Sequence, residues 1–209
     1  MLFFDAEVDV LNKTWFLLYI CMVTPQKRDS CKTDRKTSTQ TRPVSATAGF
    51  VLPPSDGEKI WIVGDTLWLK ATSAETGGAY TVIENISLPG NGPPPHLHEN
   101  DDESMYVIDG EFEILLGAKT MRAGPGAFAF VPKRTIHRFR CIGDRPGKIL
   151  IHFTPGGIEG FFREAGVPAT NDGPAPAVDA AEISRTAIAG KRYGLRVIDW
   201  SDGRRVNQA

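Results

Sequence analysis

The histidines of this chain are concentrated in one stretch. The sequence has 209 residues and four histidines, and three of them, His96, His98 and His137, lie in the same stretch as Glu103. A His-x-His pair on an extended strand places both imidazole rings on one face, because strand side chains alternate with a period of two. The spacing therefore predicts a strand at residues 96–98 and a polar site built on strands.

The side chains of this set suit a transition metal. Neutral imidazole binds zinc, copper, iron and nickel, and a carboxylate adds a harder ligand that manganese, iron and cobalt accept. Three histidines and one glutamate around an octahedral ion leave about two positions open, as a catalytic metal requires. We therefore expect one divalent transition metal. The candidates are iron, manganese, nickel, cobalt, copper and zinc. Its expected ligands are His96, His98, Glu103 and His137.

Glycines and a proline flank these residues at fixed intervals. One glycine precedes the first histidine by five intervening residues, another follows Glu103 by six, and a second segment runs glycine, five residues, proline, four residues, histidine. The pattern resembles the two-part signature of the cupin superfamily. The matching residues are Gly90, His96, His98, Glu103, Gly110, Gly126, Pro132 and His137.

Two positions depart from the second part of the signature. Arg134 stands where the signature has glycine, and Cys141 stands where it has asparagine. The backbone at Arg134 must therefore either adopt a positive φ or use a different turn. Cys141 shares a strand face with His137, so it either reaches the site or serves as a small buried thiol. The resemblance extends over roughly residues 57–155.

The resemblance implies a fold and a set of roles. Cupins are small β-barrels with the metal inside, and their three histidines and glutamate bind it. The prolines before His96 and the Gly-Pro-Gly turn at 124–126 are similar to those of single-domain proteins related to quercetin dioxygenases. In those enzymes a substrate hydroxyl binds the metal and the glutamate ligand also acts as the base. Glu103 is therefore the catalytic candidate.

The expected function is that of a quercetinase-like, metal-dependent dioxygenase acting on a small hydrophobic substrate that bears oxygen. Two alternatives remain open on the same residues. One is a redox-neutral, metal-dependent isomerase, and the other is a cupin that binds a small molecule without catalysis. The sequence contains no nucleophile motif, phosphate-binding loop or dinucleotide fingerprint that would favour another chemistry.

Short apolar runs separated by turn residues predict the fold class. Strands with turns about every eight to twelve residues favour an antiparallel sandwich or barrel. The resemblance selects an all-β jelly roll, the double-stranded β-helix. Asp109-Gly110 predicts a two-residue hairpin between strands at 103–108 and 111–116. The side chains expected to line the barrel are Met105, Val107, Phe128, Phe130 and Phe139.

Strand phase leaves one carboxylate ambiguous. Glu84 shares the face of Val82, Ile86 and Leu88, so it either points inward or belongs to a strand in the opposite phase and faces water. A buried carboxylate would need a partner or a raised pKa. The phase of the strand at 148–153 directs His152 away from the core, so His152 is not an expected ligand.

The domain organisation follows from composition. Residues 1–48 are expected to form a disordered extension, residues 49–155 the barrel and residues 156–209 a helical extension. The nine apolar residues at 15–23 are too few to span a bilayer, so they form a docked segment or precede a start at Met22. In the C-terminal part, Asp179 and Glu182 predict a capping box and Gly194 predicts the helix end.

Charge and cysteine content restrict the partners. The net charge is −1, which gives no electrostatic reason to expect nucleic acid or an anionic membrane. Three scattered cysteines do not form a disulfide framework, which predicts a reducing, cytoplasmic environment. We expect a small-molecule substrate, no nucleic acid and no membrane, and a homodimer is an alternative that the sequence leaves open.

Overall fold

A computed structural model describes residues 49–198. The expectations for residues 1–48, including the disordered extension and the apolar segment at 15–23, lie outside this range. Those for the tail beyond residue 198 do so as well. No helix within residues 49–198 is long and apolar enough to cross a lipid bilayer.

The described chain folds into twelve strands and three helices, most of the strands lying between residues 58 and 154. The strands are β1 Glu58–Ile62, β2 Asp65–Ala71, β3 Thr81–Ser87, β4 His96–His98, β5 Asp102–Asp109, β6 Phe112–Leu116, β7 Lys119–Ala123, β8 Phe128–Val131, β9 His137–Cys141, β10 Gly147–Thr154, β11 Val167–Pro168 and β12 Leu195–Val197. The helices are α1 Ser73–Thr76, α2 Glu159–Ala165 and α3 Ala180–Tyr193.

Two antiparallel sheets make up the barrel. The first has seven strands in the order β11-β1-β2-β3-β10-β5-β8, and the second has five in the order β12-β4-β9-β6-β7. Apolar side chains from both sheets form one buried core, because inward residues alternate with outward ones along each strand. The prediction of an all-β jelly roll is confirmed. The core includes Leu67, Ile83, Met105, Val107, Phe112, Ile114, Phe139, Ile149 and Ile151.

The turn at Asp109-Gly110 is not a hairpin, and this prediction is wrong. β5 pairs with β10 and β8 in the first sheet, whereas β6 pairs with β7 and β9 in the second. The chain therefore crosses from one sheet to the other at Gly110, whose φ is 80°. A local turn signal shows where the chain reverses, but the choice of strand partner depends on long-range packing.

The prediction that Phe128 and Phe130 line the barrel is also wrong. Their side chains are 66% and 50% exposed, while Val131 on the same strand is buried. β8 is an edge strand, and its register with β5 places the small Ala129 at the inward position beside Met105. Met105 and Val107 are buried as predicted, but they pack into the core.

Strand β3 adopts the phase in which Glu84 faces outward. Glu84 forms ion pairs with Lys148 at 2.8 Å and Lys70 at 3.7 Å on the outer surface of the sheet. The buried face of β3 carries Thr81, Ile83, Asn85 and Ser87. Three of these four side chains are polar, so the interior of the barrel is polar along this strand.

The C-terminal helices pack against the barrel. Asp179 caps α3 as predicted, with its carboxylate accepting from the Glu182 amide at 2.7 Å, and Gly194 ends the helix with φ 76°. The capping box is not completed, because the Glu182 carboxylate accepts instead from the backbone amide of Val63 at 2.6 Å. The helix is thereby attached to the turn between β1 and β2. After Gly194, β12 pairs with β4.

Gly92 provides a test of how tightly the segment before β4 packs. Its φ is 150°, and an added Cβ would overlap the carbonyl oxygen of Phe139 on β9. We expect Gly92→Ala to lower the free energy of unfolding by about 2–4 kcal/mol, from backbone strain and overpacking. Urea denaturation would measure this. Gly124→Ala is the control, since no atom lies within 4 Å of its Cβ position, and equal losses in both variants would contradict the packing argument.

Candidate metal centre

The two sheets bring the four predicted residues together. His96 and His98 project from one face of β4, and His137 on β9 lies directly opposite His96 in the antiparallel register. Glu103 comes from β5 of the other sheet. All four are buried, and one potential ligand atom from each lies within 4.8 Å of the others. This cluster could hold one metal ion.

The backbone determines which nitrogen two of the histidines present to the cluster. His96 Nδ1 lies 2.9 Å from the Pro94 carbonyl oxygen, and His137 Nδ1 lies 2.9 Å from that of Thr135. A carbonyl oxygen only accepts, so each Nδ1 carries the proton and donates it. In the neutral ring Nε2 then has the lone pair, which is the form that binds a metal.

The contact between Glu103 and the histidines needs a positive charge. Glu103 Oε2 lies 2.8 Å from His137 Nε2 and 3.2 Å from His98 Nε2. With Nδ1 of His137 already donating, a neutral ring would place two acceptors 2.8 Å apart. Either an additional proton on His137 or a cation among the four side chains removes this repulsion. The chemistry of the donors therefore fits a bound metal.

A second carboxylate lies beside His98. Asp101 is buried, and its Oδ2 is 3.7 Å from His98 Nδ1, which has no hydrogen-bond partner within residues 49–198. A carboxylate near the outer nitrogen of a metal-binding histidine commonly fixes the ring tautomer and orientation. Sequence reasoning missed Asp101, since it is one of three consecutive acidic residues with no spacing signal.

Burial and neighbouring charges give the groups of the cluster different pKa values. Burial lowers the pKa of His96 to about 3, and His137 and His98 act in the same direction. Burial also opposes a charge on His98, but the carboxylates of Asp101 and Glu103 outweigh it and raise its pKa to about 9. Burial acts to raise the pKa of Glu103, yet His137 and His98 hold it well below its usual range. The cluster thus keeps Glu103 ionised and His96 neutral.

A cavity of about 100 Å³ adjoins the cluster. Its polar boundary includes His96, His98 and Glu103, and most of its remaining lining is apolar. Of the five side chains predicted to line the barrel, Phe139 borders this cavity. The C-terminal segment contributes walls that the sequence did not indicate, because they come from elements far from the histidines in the chain. These walls are Phe161, Phe162, Thr186, Leu195 and Val197.

Three further predictions near the cluster have clear outcomes. Arg134 adopts the positive φ that its position requires, at 65°, and its amide donates to the His98 carbonyl oxygen at 2.6 Å. Cys141 is a buried thiol, with Sγ 3.5 Å from the Arg145 carbonyl oxygen. His152 lies on the outer face as predicted, with its ring 5.1 Å from that of Tyr80.

A buried polar network in the same cavity was not predicted. Asp65 at the start of β2 accepts hydrogen bonds from Asn85, Ser87 and Asn91, at 3.0, 2.8 and 2.5 Å. Burial raises the pKa of Asp65 to about 6, although these three hydrogen bonds act in the opposite direction. The polar inner face of β3 is the signal that could have revealed the network, had the strand phase been known.

Sequence comparison agrees with the site. The cupin domain family matches residues 86–153, which include all four clustered side chains. The barrel is a cupin domain. Its two signature segments include β4, β5 and β9, the strands that carry the cluster, and β8.

The cupin domain is similar to parts of longer proteins. It is 28% identical over 120 residues to a quercetin 2,3-dioxygenase of Bacillus subtilis (strain 168), covering 57% of this chain and 35% of that protein. It is 33% identical over 92 residues to polyketide synthase CurC of Streptomyces cyaneus, covering 43% of this chain and 57% of that protein. The match thus spans about a third of the length of the first relative and somewhat over half of the length of the second.

Among solved structures, the polyketide cyclase RemF of Streptomyces resistomycificus resembles the chain with a TM-score of 0.46 and 19% identity. The match covers 51% of this chain and 80% of that structure.

Metal binding should depend on His98 and not on His152. We expect His98→Ala to weaken binding of cobalt(II) by more than about 100-fold, beyond the usual loss when only a supporting residue is changed. His152→Ala, on the outer face of β10, should bind cobalt as the parent protein does. Cobalt absorption titrations and metal analysis of the purified proteins would measure both. Equal affinity in the parent and His98→Ala would exclude His98 as a ligand.

The raised pKa of Asp65 predicts a pH-dependent stability. The folded state holds this proton more tightly than the unfolded chain, whose reference pKa is 3.8. The stabilisation is therefore complete below about pH 4 and is lost as the pH rises through about 6. Between about pH 4 and pH 6, the free energy of unfolding of the parent protein should fall by on the order of 2–3 kcal/mol relative to that of Asp65→Asn.

Urea denaturation across this pH range would measure the difference. Glu159→Gln is the control with the opposite sign, because burial acts to raise the pKa of Glu159 but hydrogen bonds from Ser73 and Thr81 lower it overall. Parallel profiles for the parent and Asp65→Asn would refute the assignment.

Proposed function

We propose that His96, His98, Glu103 and His137 hold one divalent transition metal, and that the protein is a dioxygenase acting on a small hydrophobic substrate with an oxygen function. The observation that carries this proposal is the cluster of three imidazoles and one carboxylate at the edge of a mainly apolar cavity. Such a cavity favours an apolar substrate body, and the cluster provides the polar end. The similarity to part of a quercetin 2,3-dioxygenase supports the reaction class.

A bound metal would supply Lewis-acid polarisation of a substrate oxygen and a site for dioxygen. The protein supplies the orientation of the ligands. Hydrogen bonds from Nδ1 to backbone carbonyl groups hold the rings of His96 and His137, and the Asp101 carboxylate lies beside the ring of His98. This support keeps the ligand geometry ready before the substrate enters.

Glu103 is the proton acceptor in this proposal. Both of its contacts with histidine use Oε2, and Oε1 has no hydrogen-bond partner in the described part of the chain. Oε1 is thus the oxygen that takes the proton of a substrate hydroxyl. A carboxylate that binds a metal is a weak base, and a weak base removes only an acidic proton. Phenols and enols therefore suit the site better than simple alcohols.

The size of the cavity limits the substrate. Pockets for drug-sized ligands measure roughly 300–1,000 Å³, whereas this cavity measures about 100 Å³. Catechols and small diketones in their enol form fit this volume better than three-ring flavonols. The apolar walls, which include Phe139 and Phe153, also exclude water from the reacting groups.

Glu103→Gln tests the role of the carboxylate. Turnover should fall by roughly 10²–10⁴-fold, the usual contribution of a positioned base, while part of the metal is retained. Oxygen uptake and metal content would be measured on the same preparations. Glu84→Gln is the matched control, because Glu84 pairs with Lys148 on the outer face of the barrel. Full activity in Glu103→Gln would remove Glu103 as the base.

Oxygen consumption distinguishes the reaction classes. The protein, loaded separately with iron, manganese, nickel, cobalt or copper, would be given a diketone, a catechol and a flavonol. Uptake with the smaller compounds supports the proposal. Conversion of a substrate without oxygen uptake would indicate a redox-neutral isomerase, and binding without conversion would indicate a binding module.

A further inference from the structure

The cavity has polar side chains besides the four clustered ones. Asp65 and Asn85 from the first sheet and Thr186 from α3 all border it. They are separate from His96 and Glu103 in the chain and belong to elements outside both signature segments. A mainly apolar cavity with polar groups in more than one place suits a ligand that has more than one polar group.

The Asp65 carboxylate has spare capacity to accept a hydrogen bond. Oδ2 accepts from Asn85 and Ser87, while Oδ1 accepts from Asn91 alone within residues 49–198. A carboxylate offers about four acceptor positions, so one on Oδ1 remains. Burial raises the pKa of Asp65 to about 6 in spite of its three donors. The three donors therefore do not fully replace the water that the carboxylate loses.

Thr186 has a buried hydroxyl without a partner. Its Oγ1 is shielded from solvent and makes no hydrogen bond to the part of the chain that the structure describes. A threonine within a helix usually bonds to the carbonyl of the preceding turn, which would satisfy the hydroxyl locally. An unsatisfied hydroxyl beside a cavity destabilises the protein by itself, and a polar group within the cavity would satisfy it.

One residue connects the neighbourhoods of Asp65 and Thr186. The amide of Val63 donates to Glu182 on α3 at 2.6 Å, and its carbonyl accepts from Asn91 at 3.3 Å. Glu182 and Thr186 are four residues apart, so they share a helix face. Val63 has φ 49°, which is a strained conformation for a β-branched residue. This strained turn holds α3 beside the start of β2, where Asp65 lies.

We propose that Asp65 and Thr186 form a second substrate-binding position in the cavity, which recognises a hydroxyl group of the substrate. The hydroxyl donates to Asp65 Oδ1, and Thr186 Oγ1 donates to the oxygen of the same hydroxyl. Together with the proposed function, on which the role of the first oxygen rests, this defines the substrate class. The substrate is a small, mainly apolar molecule with two oxygen functions, one at the metal centre and one at Asp65 and Thr186.

Matched pairs of small phenols test this position. The probes are catechol with 2-methylphenol, resorcinol with 3-methylphenol, and hydroquinone with 4-methylphenol. Within each pair a hydroxyl replaces a methyl group of similar size. Binding to the full-length, zinc-loaded protein would be measured by calorimetry, because zinc has no redox chemistry and the probes stay intact. We expect at least one dihydroxy compound to bind about tenfold or more tightly than its methyl partner, as at sites built to recognise a hydroxyl.

Two variants assign the preference to its residues. Asp65→Asn and Thr186→Val should each reduce the ratio of affinities for the dihydroxy compound and its methyl partner to about threefold or less. This ratio is smaller than the one expected at a site that hydrogen-bonds the hydroxyl. Thr186→Val should not lower the thermal midpoint, because it removes a hydroxyl that has no partner. Glu159→Gln is the control, since Glu159 is also a buried carboxylate surrounded by donors but does not border the cavity. It should keep the full preference.

The outcomes separate this proposal from the proposed function. No preference in any pair, or a full preference in both variants, would overturn the second position. If Asp65→Asn fails to fold, the result for Thr186→Val decides. Absence of oxygen uptake with the preference intact would refute the dioxygenase alone, and oxygen uptake without any preference would refute the second position alone.

Discussion

The site depends on the contact between one carboxylate and two imidazoles that come from opposite sheets. Glu103 approaches from the seven-stranded sheet, and its Oε2 lies 2.8 Å from the Nε2 atom of His137 on the five-stranded sheet. Because backbone carbonyls direct the proton of His137 to Nδ1, the contact is favourable only with a positive charge at its centre. That charge would link polar side chains of the two sheets. Binding of a cation there would be coupled to folding, since a site of this kind does not exist in an unfolded chain.

The sequence was most informative where chemistry and local geometry agree. The spacing of the histidines, the alternation along β5 and β10, the N-cap at Asp179 and the C-cap at Gly194 all involve residues close together in the chain. The structure brings the predicted ligands together, while their binding of a metal remains a prediction. Arg134 shows how a departure from the signature is tolerated, since its αL conformation lets its amide bond to the His98 carbonyl.

The errors, and the alternative left open for Glu84, arose where distant parts of the chain decide the outcome. In β3 the more hydrophobic face points outward, and the inner face carries Asn85 and Ser87. These two side chains donate hydrogen bonds to the buried Asp65, which lies about twenty residues earlier in the chain, on β2. On β8, aromatic residues occupy the outer face because the register with β5 places Ala129 and Val131 opposite the inward Met105 and Glu103. Asp101 and Thr186 were missed for a related reason, since their significance comes from neighbours that only the fold supplies. Periodicity gives two faces for each strand but does not state which one the rest of the chain will cover.

The pairing of β12 with β4 has a consequence for biosynthesis. Val197 and Leu195 lie opposite His96 and His98 in the register, so the strand bearing two of the histidines is bordered on one side by residues made about a hundred positions later. Until the ribosome has released residues 195–197, the nascent barrel has an open seam beside its histidines. The site cannot be completed before these residues have emerged, and a chain terminated before them would expose this seam to chaperones and proteases.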